Sequence, residues 1–267
     1  MVKMSPAFVD ALSYAEERIQ ALVASLDRPV EGLVQPCALT MGIARQAGAV
    51  HRDLMTLCAS NRLTSPVILL RPIVEAAILV RWIEVDPQPH SDMYFAEDDR
   101  QRLSSAPAFV EFRRRRGTPM SGPVFTREVE VAMRKGVTAV KEGAIAAGKI
   151  TKKSNRVLPL IQDMAKATDD SAIWEGYEVI YRVVSPWTHV GGRALSHYEP
   201  EIRSDGTHLV PVPPYDGQAI RALTAPTMLV LLGSVGRICG LGIEREARIL
   251  QDTIAMWPSE ALMAVDL

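Results

Sequence analysis

Apolar residues recur at helical spacing along almost the whole chain, and strict alternation is confined to one short stretch. Ser5-Pro6 is a helix start, a capping residue followed by a proline in the first turn. From there Phe8, Leu12, Ala15, Ile19, Leu22 and Leu26 form one stripe. A second helix is predicted from about Ala38 to Asn61. A third runs from Ser65-Pro66 to about Val85, where Asp86-Pro87-Gln88-Pro89 ends it. Ser91 or Asp92 caps a more polar helix to about Ser104. A short stretch from Pro107 to Arg116 then leads into a turn-rich segment.

Further helices are predicted over Thr126–Ala147, Asn155–Ala167 and Ala172–Val190. Asp205-Gly206, between short alternating runs, signals a β-hairpin near 201–210. A long helix is predicted from about Asp216 to Met256, interrupted near the glycines between 233 and 242. No repeat appears, and no linker is long enough to force two domains. The pattern predicts one all-α domain over 1–267, a bundle of seven to nine helices with one small β-hairpin. The polar helical stretch at about 91–154 reads as an insertion.

Composition narrows the function classes. Thirty Lys and Arg against 31 Asp and Glu leave the chain near neutrality, so nucleic-acid contact would need a local patch. Three cysteines, Cys37, Cys58 and Cys239, lie far apart in the chain. They form neither a zinc motif nor a disulfide framework, which fits a reducing, cytoplasmic setting. The N-terminus becomes charged before a signal-length apolar core can form. The apolar run Ala225–Ile243 contains Arg237 and several glycines and reads as a buried core helix, with no membrane span expected. Metalloprotease, nucleophile-elbow, P-loop and dinucleotide fingerprints are absent, and so is the Glu-x-x-His pair of di-iron bundles. Neither a cofactor nor a metal site is therefore expected.

Polar chemistry concentrates in two apolar segments, each interrupted by a proline. In Val67–Val80, Arg71 and Glu75 stand four residues apart and share a helix face, with Trp82 seven residues beyond Glu75 on nearly the same stripe. Pro72 frees the carbonyl of Ile68. In the second segment Tyr181, Ser185 and His189 step by four, and Arg182 precedes His189 by seven. Pro186 and Trp187 lie between them. Two readings stand side by side. Arg71 and Glu75 either line a cleft or form a buried ion pair that fixes a core helix. His189 either performs acid–base chemistry beside Arg182 or is a core histidine bonded to the other helix, for example to Glu75. Downstream, Arg193 and His197 are again four apart. Arg113–Arg116 is a compact basic run, and Lys149, Lys152, Lys153 and Arg156 form a looser one. Such runs meet phosphates or simply face water.

Leu70, Arg71 and Glu75, with Tyr181, Ser185 and His189 further along the chain, together resemble a bacterial all-helical family catalogued as a domain of unknown function. The order of elements agrees from about Ala38 to Leu250. The resemblance implies an all-α fold and a bacterial source, and it supplies no activity. A fainter similarity runs to the HEPN superfamily, through Arg182 and His189 with six residues between them. Val183 and Pro186 depart from the HEPN pattern. That resemblance implies a metal-independent ribonuclease acting across a homodimer interface, with Arg182 and His189 as catalytic residues, assisted by Arg71 and Glu75. Against it stands a binding or regulatory module for an anionic small molecule or a protein partner. That module would use Arg71, Glu75, Tyr181, Ser185, His189, Arg193 and His197, with Trp82 and Trp187 as apolar walls. A third reading makes the polar residues purely structural and puts function on an exposed surface.

Overall fold

The computed structural model describes residues 5–27, 34–60, 64–116, 126–181, 198–203, 206–211 and 217–255. Within these residues the protein is all-helical but for one pair of short strands, with nine α-helices and one π-helical turn. In chain order the helices are α1 (Pro6–Ser25), α2 (Gln35–Ala59), α3 (Thr64–Val85), α4 (Pro87–Arg116), α5 (Arg127–Ala146), α6 (Ile161–Ala167), α7 (Ser171–Glu175), α8 (Gly217–Cys239) and α9 (Glu244–Ala255). The π-helical turn, Gly176–Tyr181, continues directly from α7. Strands β1 (Tyr198–Arg203) and β2 (Gly206–Pro211) pair antiparallel, Tyr198 opposite Pro211 and Arg203 opposite Gly206.

Two compact units divide the chain: Met1–Val85 with Met164–Leu267, and Asp86–Asp163. In the first, α3 and α8 form the centre, with α2 against both and α1 and α9 on the outside of α8. Helix α1 begins as its sequence dictates. Ser5 accepts a hydrogen bond from the Phe8 N–H, and Pro6 occupies the first turn. Its stripe of Phe8, Leu12, Ala15, Ile19 and Leu22 is buried. Gly48 of α2 sits so close to Val23 that a β-carbon there would lie 2.5 Å from Val23 Cγ1, so the α1–α2 crossing depends on that glycine. Long-range ion pairs fasten the outer helices: Arg221 to Glu16 at 2.6 Å, and Arg18 to Glu246 at 2.5 Å.

Helix α8 is long and apolar enough to cross a bilayer, yet it is mostly buried in this unit, with Ile220, Ala225, Met228, Leu229, Leu232 and Val235 in the core. Gly240 and Gly242 adopt positive φ, and the chain turns there into α9. The break therefore falls after Cys239, while Gly233 and Gly236 remain inside α8. A β-carbon on Gly236 would stand 2.9 Å from the Glu244 backbone nitrogen, which is why α9 can fold back closely here.

Several boundaries differ from those the sequence pattern predicts. Pro72 is not among them: α3 runs through it to Val85 as expected, and Ile68, whose carbonyl it frees, is exposed. Pro107 lies within α4, which runs unbroken to Arg116. Pro87 opens α4 instead of merely closing α3, because a proline suits the first helical turn. The helix expected from Asn155 begins only at Ile161.

The cysteines require a larger correction. Cys37 and Cys239 are disulfide-bonded, with their α-carbons 5.1 Å apart, joining the first turn of α2 to the last turn of α8. Separation in sequence concealed a pair that the α2–α8 packing brings together. Cys58 is the free thiol among the three, and burial pushes it up to about 11, which makes it a poor nucleophile at neutral pH.

In the second unit Lys149 bonds Asp86 at 2.6 Å, which sets the end of α5 beside the start of α4 and makes the two helices antiparallel. Glu97 is the polar centre of this unit and is only 2% exposed. Burial alone would raise its carboxyl. Hydrogen bonds from Arg100, from the Val157 N–H at 2.8 Å and from Gln101 outweigh that and hold it at about 2. These bonds tie the irregular segment after α5 to α4.

Candidate functional site at the α3–π-turn junction

The π-turn packs on α3 and brings Tyr181 to Arg71. Arg71 donates from Nε to Glu75 Oε1 at 2.9 Å and from Nη2 to the Tyr181 hydroxyl at 3.2 Å. Its guanidinium also lies over the Tyr181 ring, 5.1 Å from the centroid. Behind Tyr181 the rings continue as a ladder. Tyr177 stacks on it at 5.2 Å, and Trp174 on Tyr177 at 5.4 Å. Lys166 Nζ caps the far end, 5.3 Å from the Trp174 centroid. Three aromatic rings are thus held between two cations, each contact of a kind worth about 0.5–1.5 kcal/mol.

The local sequence explains the ladder. Trp174, Tyr177 and Tyr181 form one stripe at spacings of three and four. The wider i→i+5 turn takes up an extra residue and still keeps Tyr177 and Tyr181 on one face. Asp170 starts α7 by accepting from the N–H groups of Ala172 and Ile173.

Electrostatics lock the junction in one charge state. For Arg71, partial burial is outweighed by the hydrogen bond and charge of Glu75, so the guanidinium stays ionised. Burial is also the main reason the Tyr181 phenol is raised, with Arg71 opposing and Glu75 adding to the shift. Tyr181 is therefore a neutral hydroxyl at physiological pH and can exchange hydrogen bonds without changing charge.

The pair is not sealed. The Arg71 side chain is 23% exposed and that of Glu75 is 39% exposed. A simple buried ion pair is thereby replaced by a partly solvated one. Trp82 does not serve as a wall. It is 2% exposed and belongs to the core, deeper on the same stripe of α3. Arg182, Ser185, Trp187, His189, Arg193 and His197 lie outside the described residues. Among the described residues no group of metal-ligating side chains gathers.

A second polar assembly has no counterpart in the sequence expectations. Arg81 bridges Glu84 at 2.7 Å and Asp170 at 3.0 Å. Arg237 of α8 reaches the other side of Glu84 and also bonds Ser234. Burial would raise Glu84, but the bonds from Arg237, Arg81 and Ser234 outweigh it and hold its carboxyl below the usual range. Because Asp170 also caps α7, this assembly positions the helix that carries the ladder. Arg81 and Glu84 are readable from the sequence as an i,i+3 pair. Nothing in the sequence marks Asp170 and Arg237 as their partners.

The sequence model of a family of unknown function, DUF5677, matches residues 39–206, more than half of the chain, and the chain belongs to that family. The matched span includes Arg71, Glu75 and the whole aromatic ladder. No curated protein and no solved structure matches.

Proposed function

We propose that this DUF5677 member is a binding or regulatory module that takes an anionic small molecule at Arg71, beside the aromatic ladder. The observation that carries this reading is the openness of a charged pair on an otherwise apolar helix. Glu75 keeps more than a third of its side chain exposed, so its attraction for Arg71 is screened by water and a competing anion has little to displace. A ligand carboxylate or phosphate would displace Glu75 from the guanidinium, or bridge beside it, without desolvating a fully buried charge. Arginine suits this task because its planar fork binds such groups bidentately while its face stays on a ring. Tyr181 adds a neutral donor and acceptor at the same point. Support also comes from the π-turn, a feature often found where a helix is adapted for function.

Thermal-shift measurements with inorganic phosphate and AMP, on the wild type and Arg71→Gln, test the reading. Saturable stabilisation of the wild type and its loss in the variant are expected. Equal stabilisation of both proteins overturns it. Metal-free cleavage of RNA that is lost in His189→Ala would replace it with the HEPN-like ribonuclease.

A further inference from the structure

The second unit has a core at one end only. Its buried residues in α4 are His90, Ser91, Met93, Ala96, Glu97 and Leu103. From Ser104 onward in α4, and from Thr126 to Gly143 in α5, no described side chain is buried. At 1.5 Å per residue, α4 extends about 45 Å, so its distal half pairs with α5 without a core of its own. On this distal half Val110, Phe112, Val129 and Val131 are exposed, Phe112 at 56%.

The same region is strongly basic in a nearly neutral chain. Between residues 109 and 136 there are seven Arg and Lys and three Glu. Two of the glutamates are engaged locally, Glu111 with Arg115 at 2.9 Å and Glu130 with Arg134 at 2.8 Å. Arg116 does something different: its guanidinium lies 5.4 Å from the centroid of the exposed Phe112 ring. The result is a cationic surface with an exposed aromatic ring on the distal half of the helical pair.

We propose that the distal half of the α4–α5 pair is a binding surface for single-stranded nucleic acid. Guanidinium groups on the backbone phosphates and an exposed ring under an unpaired base are the two contacts such binding needs. The placement of charge decides against other occupants. A second copy of this surface would bring like charges together. An anionic membrane would attract the same arginines, but Val110 and Phe112, on different sides of α4, could not both enter one bilayer surface. An acidic protein groove would cover one side, yet Val110 and Phe112, two residues apart, point to different sides of α4.

Fluorescence anisotropy with labelled 20-nucleotide oligo(U) and oligo(dT), using the full chain at about 50 mM salt, reads the interaction. We expect saturable binding that weakens steeply with salt. The Arg115→Glu/Arg116→Glu protein should bind at least about tenfold more weakly with a shallower salt slope. Phe112→Ala should bind about five- to tenfold more weakly with the slope unchanged, because it removes stacking and not charge. Circular dichroism confirms that these exposed substitutions leave the fold intact. Preference for oligo(U) over oligo(dT) would assign the ligand to RNA, and equal binding would make the surface indifferent to the sugar. No binding to either oligonucleotide, unchanged binding by both variants, or capture by anionic phosphatidylglycerol vesicles alone would overturn the proposal.

Discussion

Helix α3 carries two ionic assemblies of the same local design, and their fates differ. At one end Arg71 and Glu75 are paired at i,i+4, and at the other Arg81 and Glu84 are paired at i,i+3. The arginines are equally shielded, with 23% and 25% of their side chains exposed. The carboxylates are not. Glu84 is 15% exposed and gripped by two guanidinium groups, while Glu75 is 39% exposed. Local spacing therefore sets which charges can pair, and long-range partners decide whether the pair becomes a rivet or stays open. Arg237 and Asp170 close the assembly around Glu84. Among the described residues, the one around Arg71 continues into a phenol and a stack of rings, which are neutral.

One pair of substitutions separates these two ends directly. Glu84→Ala leaves Arg81 and Arg237 without their shared anion and should cost about 3 kcal/mol in urea unfolding. Glu75→Ala should cost under about 1 kcal/mol, the range of partly exposed pairs. Equal costs would erase the distinction.

Acid titration sharpens it. The Glu84 carboxyl is held below its ordinary value of 4.5. Its contribution is complete above that pH and is lost as the pH falls further. Glu84→Gln should flatten that acid limb, and Glu75→Gln should leave it in place. A separate window lies higher. His51 of α2 is fully buried, its Nδ1 meets Gln20 Nε2 at 2.7 Å, and its Nε2 has no partner among the described residues. Burial lowers it from 6.5 to about 4. Protons then bind the unfolded chain first, so stability is full above pH 6.5 and falls as the pH drops towards 4. The loss is on the order of 3 kcal/mol. His51→Gln should abolish this upper window while preserving the lower one, as followed by unfolding midpoints across pH.

Removal of the disulfide provides a control outside both assemblies. Cys37→Ser should lower stability by about 2–5 kcal/mol under oxidising conditions, with no further change on adding a reductant. The smallest stability effect belongs to Tyr181→Phe. It keeps the ring ladder and removes one hydroxyl contact, so about 1 kcal/mol or less is expected in urea. Tyr181→Ala, which breaks the stack, should cost more.

Much of this architecture is legible in the chain itself. The stripe of Phe8, Leu12, Ile19 and Leu22 and the Ser5-Pro6 start specify α1, because capping and periodicity are local properties. Arg71 and Glu75 are visible for the same reason, whereas their meeting with Tyr181 from a later helix follows from the need to pair charges on an apolar helix. The features that stay hidden depend on tertiary approach. Cys37 and Cys239 are 202 residues apart and meet only because α2 packs on α8. Arg237 and Asp170 reach α3 from two other elements. Pro72 and Pro107 look like breaks, yet each helix passes through its proline, since packing outweighs the loss of one backbone bond. The ladder does carry a sequence signal: three aromatic residues within eight positions, Trp174, Tyr177 and Tyr181, in a chain that is 6% aromatic.

Calorimetric titration of AMP into the wild type, Arg71→Gln and Arg237→Gln tests most directly whether the open end of α3 is a ligand site. Saturable heat should appear in the wild type and in Arg237→Gln and vanish in Arg71→Gln. Binding that survives in Arg71→Gln, or disappears equally in both variants, would contradict it.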